Sequence, residues 1–283
     1  MYESYFTLNN CPFKMSPDPR SLMFTPSHRE ALAGLMYGIL NGKGFITLIG
    51  DAGTGKTSLL RRVLQATDAN KCFIASPNVP ASEFTKLVMV GFQIDPIPNT
   101  KVEQLMQLEQ YLKQSHRNGK LCVLVIDEAQ QLSQELLEEI RLLTNIEDPD
   151  EKLLQVVLAG QSTLRDSLNR PDLRQLKQRI AVRLTLSPLS GPREVEEYMR
   201  HRWVLAGGAG AVPFSTEAIE SIARYSSNIP RTVNVICDNA LLLAYSQSTR
   251  LVTVQHVNEA AMELDLLDLP ESVEPIDASA IVR

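Results

Sequence analysis

The stretch Gly50-Asp51-Ala52-Gly53-Thr54-Gly55-Lys56-Thr57 constrains this chain more than any other. It fits G-x-x-x-x-G-K-[ST], and its flanks supply the context that the pattern requires. Phe45-Ile46-Thr47-Leu48-Ile49 before it is a short apolar run rich in strand formers. Ser58-Leu59-Leu60-Arg61-Arg62-Val63-Leu64 after it carries apolar residues at helical spacing. Strand, glycine loop and helix start together make an anion site. Glycines let successive backbone N–H groups turn inward onto a triphosphate, and the helix N-terminus adds partial positive charge. On this reading Gly50 through Ser58 bind a nucleotide, Lys56 reaches its β- and γ-phosphates, and the Thr57 hydroxyl holds Mg²⁺.

A second acidic feature lies downstream. Leu121-Cys122-Val123-Leu124-Val125-Ile126 is nearly continuous apolar sequence, as expected of a parallel strand buried on both faces. It ends in Asp127-Glu128, which puts two carboxylates at the C-terminal edge of the sheet, where open α/β sheets bind ligands. Asp127 is expected to support the Mg²⁺ shell and Glu128 to polarise the attacking water. Leu153 to Ala159 reads as another buried strand, followed by Gln161 at its tip. Gln161 either touches the γ-phosphate or aligns the water, or it is a polar helix-entry residue.

Composition bounds the rest. With 283 residues, 44% hydrophobic and 22% charged, the chain is long enough for a sizeable core and a smaller second domain. No apolar run reaches a membrane span, and Met1-Tyr2-Glu3-Ser4 lacks a basic-then-apolar signal, so a cytoplasmic location is expected. The four cysteines (Cys11, Cys72, Cys122, Cys237) are scattered, without a C-x-x-C pair, and suggest neither a metal site nor a disulfide framework. The net charge of −5 is concentrated at one end: residues 259–283 hold seven acids and Arg283, leaving 27 basic and 26 acidic residues elsewhere. Acidity therefore does not exclude a DNA partner. Residues 165–183 carry six bases (Arg165, Arg170, Arg174, Lys177, Arg179, Arg183) against two acids, which reads as a solvated face or a subunit edge.

The chain divides by pattern into four parts. Residues 1–27 mix aromatics and prolines and read as an extended arm, either a wall of the adenine pocket or a hydrophobic brace. Residues 28–187 alternate strands and helices as an α/β core; a helix from about His28, capped by Ser27, precedes the first strand. The turn cluster Ser187-Pro188-Leu189-Ser190-Gly191-Pro192 then gives way to short helices through residue 266, a small bundle. Residues 267–283 are acidic, hold two prolines and are expected to be disordered.

These residues resemble the AAA+ ATPases, and specifically the ExeA/GspA-type ATPases of the general secretion pathway. The resemblance spans most of residues 1–265. It rests on Pro12-Phe13, Pro17-Asp18-Pro19-Arg20, His28-Arg29-Glu30-Ala31-Leu32, the phosphate loop and Asp127-Glu128-Ala129-Gln130. It continues in Leu158-Ala159-Gly160-Gln161, Leu173 through Ile180, and Ile229-Pro230-Arg231. It implies a P-loop AAA+ core with a five-stranded parallel sheet, a helical lid, ATP and Mg²⁺ as cofactors, and a homo-oligomer, ring or filament. It further implies that Arg179 is an arginine finger acting on a neighbouring subunit's ATP. Gln161 then takes the sensor 1 position, and Arg231 is the lid arginine reaching the γ-phosphate of its own subunit. Asn228 stands where the family often has glycine, and asparagine also tolerates a left-handed turn. The family's membrane span and peptidoglycan-binding domain have no counterpart in residues 1–283, so a cell-wall role is not expected. The expected function is ATP hydrolysis driving assembly or remodelling of a secretion or envelope machine through a protein partner. The alternative is a DNA-associated AAA+ regulator of transposition or target selection.

Overall fold

The computed structural model describes residues 1–16, 21–148 and 151–266. The expectations that fall on Pro17-Asp18-Pro19-Arg20, on Pro149-Asp150 and on residues 267–283 lie outside them. The chain forms two compact units. One comprises Met15–Ser190 together with Ile229–Arg231; the other comprises Met1–Lys14, Gly191–Asn228 and, among the described residues, 232–266.

In chain order the elements are α1 (Tyr2–Tyr5), α2 (Pro26–Leu40), β1 (Phe45–Gly50), α3 (Lys56–Ala66), β2 (Ala69–Ile74), α4 (Ala81–Gly91), α5 (Lys101–Arg117) and β3 (Leu121–Ile126). Then come α6 (Gln134–Leu143), β4 (Glu147–Asp148), β5 (Glu151–Lys152), β6 (Leu154–Gly160), α7 (Ser162–Leu168), α8 (Arg174–Arg179) and β7 (Ile180–Leu186). The helices α9 (Pro192–Leu205), α10 (Thr216–Tyr225), α11 (Pro230–Ser246) and α12 (Val254–Glu263) complete the order.

The larger unit is built on a five-stranded sheet in the order β2-β3-β6-β1-β7, all neighbours parallel. Parallel strands need helical crossovers, and these cover both faces. Alternation along each strand divides the core. Cys122, Leu124 and Ile126 of β3 join Leu154, Val156 and Leu158 of β6 on the face covered by α4, α5 and α6. Val123, Val125, Val157 and Ala159 point the other way, onto Leu35 and Ile39 of α2 and Leu59 and Val63 of α3. The apolar runs of the sequence are continuous because both faces are dry.

Local signals set the helix ends. Thr25, not Ser27, caps α2: its hydroxyl accepts the His28 N–H at 3.3 Å, and Pro26 stands in the first turn. Ser27 instead accepts the Ser187 N–H at 3.0 Å. The acidic turn after α6 is flanked by the two-stranded β4–β5 ladder, tied by Lys152 and Glu147. Inside the basic stretch the chain makes α7 and α8, whose Leu164, Leu168 and Leu176 are buried while Arg165 and Arg174 stay exposed.

The smaller unit packs α9 and α12 against α10. Its first fourteen residues act as a brace. Phe13 is buried edge-on to Phe214, Phe6 meets Trp203 edge-on, and the Tyr2 hydroxyl donates to the Asp238 carboxylate. Arg202 donates to the carbonyls of Pro12 at 2.8 Å and Lys14 at 2.9 Å. Cys72, Cys122 and Cys237 are buried and free; burial alone pushes the Cys72 thiol up to about 12.

A buried amide stands near the start of β6 in this apolar sheet. Gln155 of β6 is 0% exposed; its Oε1 accepts the Gly44 N–H at 2.7 Å and its Nε2 donates to the Lys152 carbonyl at 2.8 Å. Gln155→Leu keeps the volume but leaves a buried N–H and a carbonyl without partners. It should lower unfolding stability by roughly 1–3 kcal/mol in urea titration. An unchanged midpoint would show that water satisfies both groups.

Candidate functional site

The site is built where β1 runs out. Gly50 closes the strand, and a Cβ there would meet the Leu186 carbonyl at 2.5 Å. The chain then turns through Gly53 (φ 84°) and Gly55 (φ 102°), a backbone region that L side chains rarely adopt, and enters α3 at Lys56. Asp51 and Ala52 are exposed at the tip, whereas Thr54 is buried and donates its hydroxyl to the Asp51 carbonyl at 2.9 Å. Lys56 is only 5% exposed, and its Nζ donates to the carbonyls of Gly50 at 2.7 Å and Asp51 at 2.9 Å. Burial pulls its ammonium below the usual lysine range, and the negative charges of Glu128, Asp127 and Asp51 oppose that pull. Thr57 and Ser58 follow in the first turn of α3, each partly buried.

The acidic half comes from the end of β3. Asp127 is 3% exposed, and its N–H is held by the Ile74 carbonyl at the end of β2 at 2.8 Å. Its Oδ2 accepts the Thr57 hydroxyl at 2.5 Å and its Oδ1 accepts the Glu128 N–H at 3.0 Å. Glu128 is left-handed, at φ 50°, ahead of a single 3₁₀ turn over Ala129–Gln131. Its Oε2 accepts from Gln130 Nε2 at 2.6 Å, and Gln130 Oε1 accepts the Gln161 N–H at 3.1 Å. The fold thus joins Thr57, Asp127, Glu128, Gln130 and the backbone of Gln161 in one bonded set, with the Lys56 ammonium held by the loop within the field of both carboxylates.

The two arginines stand differently. The Arg231 N–H donates to the Gly53 carbonyl at 3.2 Å, and a Cβ on Gly53 would fall 2.5 Å from that of Arg231. Arg179, at the end of α8, donates to the Thr144 hydroxyl at 3.0 Å and the Arg141 carbonyl at 3.4 Å, so its bonds run to the end of α6.

Three residues have neighbours at the site that the sequence does not reveal. Gln130 was visible only as part of a motif, yet its amide joins two of the expected site residues. Leu22 and His28 lie beside Gly55, where an added Cβ would meet His28 Nε2 at 3.2 Å and Leu22 Cδ1 at 3.4 Å. The segment before α2 therefore passes the loop, while residues 1–14 brace the smaller unit. A groove of about 770 Å³ opens at the amino ends of the strands, lined by Gly42, His116, Lys120 and Glu151. It sits at the opposite edge of the sheet from the loop, and there His116 and Glu151 pair at 3.2 Å.

Residues 39–168 match the AAA domain family. General secretion pathway protein A of Aeromonas hydrophila is 38% identical over 267 residues, 93% of this chain and 48% of that protein. An uncharacterized HTH-type transcriptional regulator of Methanocaldococcus jannaschii is 26% identical over 243 residues, 84% of this chain and 54% of that protein. The chain spans about half the length of these curated relatives. Among solved structures, the Aeropyrum pernix ORC2 protein in ADPNP–ADP complexes gives a TM-score of 0.65 at 17% identity, covering 90% of this chain and 71% of that one. Cdc6p from Pyrobaculum aerophilum gives 0.64 at 18%, covering 95% and 74%. These structures share the fold. Sheet order, phosphate loop and sequence agree: residues 39–168 form an AAA domain, in a chain similar over nearly its whole length to general secretion pathway protein A.

Proposed function

We propose that this protein binds ATP with Mg²⁺ and hydrolyses it between subunits of a homo-oligomer. One observation carries the reading: the Thr57 hydroxyl and an Asp127 carboxylate oxygen lie 2.5 Å apart, joining the glycine loop to the acidic strand end. Those two oxygens suit Mg²⁺, which takes oxygen ligands from one or two carboxylates plus substrate phosphates. Thr57 and Asp127 would hold the ion, which when bound neutralises charge on the β- and γ-phosphates.

The remaining roles belong to the chain itself. Residues Gly50–Ser58 cradle the phosphates, and Lys56 exchanges its two carbonyl partners for phosphate oxygens. Glu128 takes a proton from the attacking water as its oxygen bonds to the γ-phosphorus and the bond to the β-phosphate oxygen breaks. Gln161 aligns that water, and Arg231 reaches the γ-phosphate from the start of α11. Residues 28–187 serve as the nucleotide-binding core and residues 188–266 as the lid. Arg179 acts in trans, its guanidinium exchanging the end of α6 for a neighbour's ATP. Similarity to the Aeromonas protein supports work on a secretion or envelope assembly. The second reading, DNA-associated regulation, is favoured by the exposed Arg165, Arg170, Arg174 and Arg183 and by a relative named as an HTH-type regulator. Electron microscopy with ATP and Mg²⁺ separates the two: filaments that need duplex DNA support the second, and DNA-indifferent rings the first.

Lys56→Ala should abolish binding of a fluorescent ATP analogue, because it removes the cation facing the phosphates. Retained tight binding would show the loop to be misassigned. Glu128→Gln should bind ATP yet lose roughly 10²–10⁴-fold in steady-state phosphate release. Turnover near wild type would take Glu128 out of the base role.

Arg179→Ala should bind ATP and hydrolyse it slowly, since an arginine finger contributes roughly 10³–10⁵ in rate. A Lys56→Ala subunit still carries an intact Arg179. Mixing the two variants should therefore restore activity at interfaces where that finger meets an intact loop. Co-assembly without restored hydrolysis would leave Arg179 as a cap for α6 and nothing more.

A further inference from the structure

The Gln130 amide is used at both ends. Its Nε2 donates to Glu128 Oε2 at 2.6 Å, and its Oε1 accepts the Gln161 N–H at 3.1 Å. Space for it is made by the backbone: a Cβ on Gly160 would fall 2.9 Å from Gln130 Oε1. Glu128 is fixed from the other side too, because its N–H is held by Asp127 and its backbone is left-handed. A left-handed non-glycine residue carries a cost that the surroundings must offset, and two hydrogen bonds at this residue do so.

We infer that Gln130 is a positioning residue that clamps the Glu128 carboxylate to the tip of β6, aiming its Oε1 at the attacking water. The inference rests on the base role proposed for Glu128. The amide serves both ends, since the tip offers a donor and the carboxylate accepts. The clamp also gives Gln161 a route to Glu128: a shift of the β6 tip moves the amide and, through it, the carboxylate.

Two near-isosteric variants separate the clamp from a plain structural tie. Gln130→Glu keeps an oxygen for the Gln161 N–H but replaces the donor to Glu128 with a second carboxylate. Gln130→Met removes both bonds. Both should lose roughly 10²-fold in kcat, the scale of a small misplacement of a reacting group, while affinity for a non-hydrolysable ATP analogue stays at the wild-type value. Thermal melts establish that each variant is folded; if Gln130→Met is not, Gln130→Glu decides. Wild-type kcat in Gln130→Glu would overturn the clamp and leave the amide as a tether for the 3₁₀ turn. Parallel loss of analogue affinity would overturn it as well, by showing that the amide supports the phosphate loop. Glu128→Gln, assayed alongside, distinguishes the two claims. If it turns over ATP, the base role falls and the clamp with it; if it is inert while Gln130→Glu works normally, only the clamp falls.

Discussion

The hydrogen bond between Thr57 and Asp127 is the contact on which the site depends, and the strand order explains why it is informative. The loop leaves β1 and the acids leave β3, yet β6 lies between those strands in the sheet. The bond therefore spans the tip of a third strand, and whatever stands at that tip is enclosed by the site. Gln161 stands there. The sequence marks it as a strand-tip residue, and the strand order puts that tip between the loop and the acids. A crossover topology has converted three distant segments into one row of oxygen and nitrogen atoms at the carboxyl edge.

Lys56 is the electrostatic counterpart of that bond. Burying an ammonium is costly, and the site offsets the cost with two loop carbonyls and three nearby carboxylates. The loop closes around its own cation, so the glycine backbone has a preferred shape before any anion enters. On the proposed reading, the carbonyl bonds at 2.7 and 2.9 Å are also the ones an incoming phosphate displaces. Affinity for an anion at this loop is then a difference between two good solvation shells for the same ammonium.

The parts of the fold that could be read from residues are those governed by short-range patterning. The inner strands β1, β3 and β6 announce themselves because burial on both faces demands nearly uninterrupted apolar runs, whereas the edge strands β2 and β7 interrupt theirs with Lys71, Arg183 and Thr185. The glycine loop was equally legible, since its chemistry is local. α7 and α8 were not, because the bases between 165 and 179 hide the widely spaced leucines that these short helices bury. The arm was read as one piece, but its first fourteen residues pack with the smaller unit and the rest with the larger. Gln130 was beyond reach for a different reason. Its partners are a side chain two residues before it and a backbone N–H thirty-one residues after it, and only the folded sheet brings the second within range.

Gln155 has a consequence beyond the stability it contributes. β6 is buried along its whole length, and its neighbours β1 and β3 are almost equally apolar. Strands of that kind have no polar face to punish a slip, so alternation alone leaves their alignment weakly specified. A shift by two residues would return every side chain to its proper layer and still displace the strand tip by about 7 Å. The single amide opposes this, because only one alignment brings its oxygen to the Gly44 N–H ahead of β1, while its nitrogen is held by the Lys152 carbonyl of its own segment. It works as a peg at the far end of the strand, indexing β6 so that Gly160 and Gln161 come to rest opposite the loop and the acids.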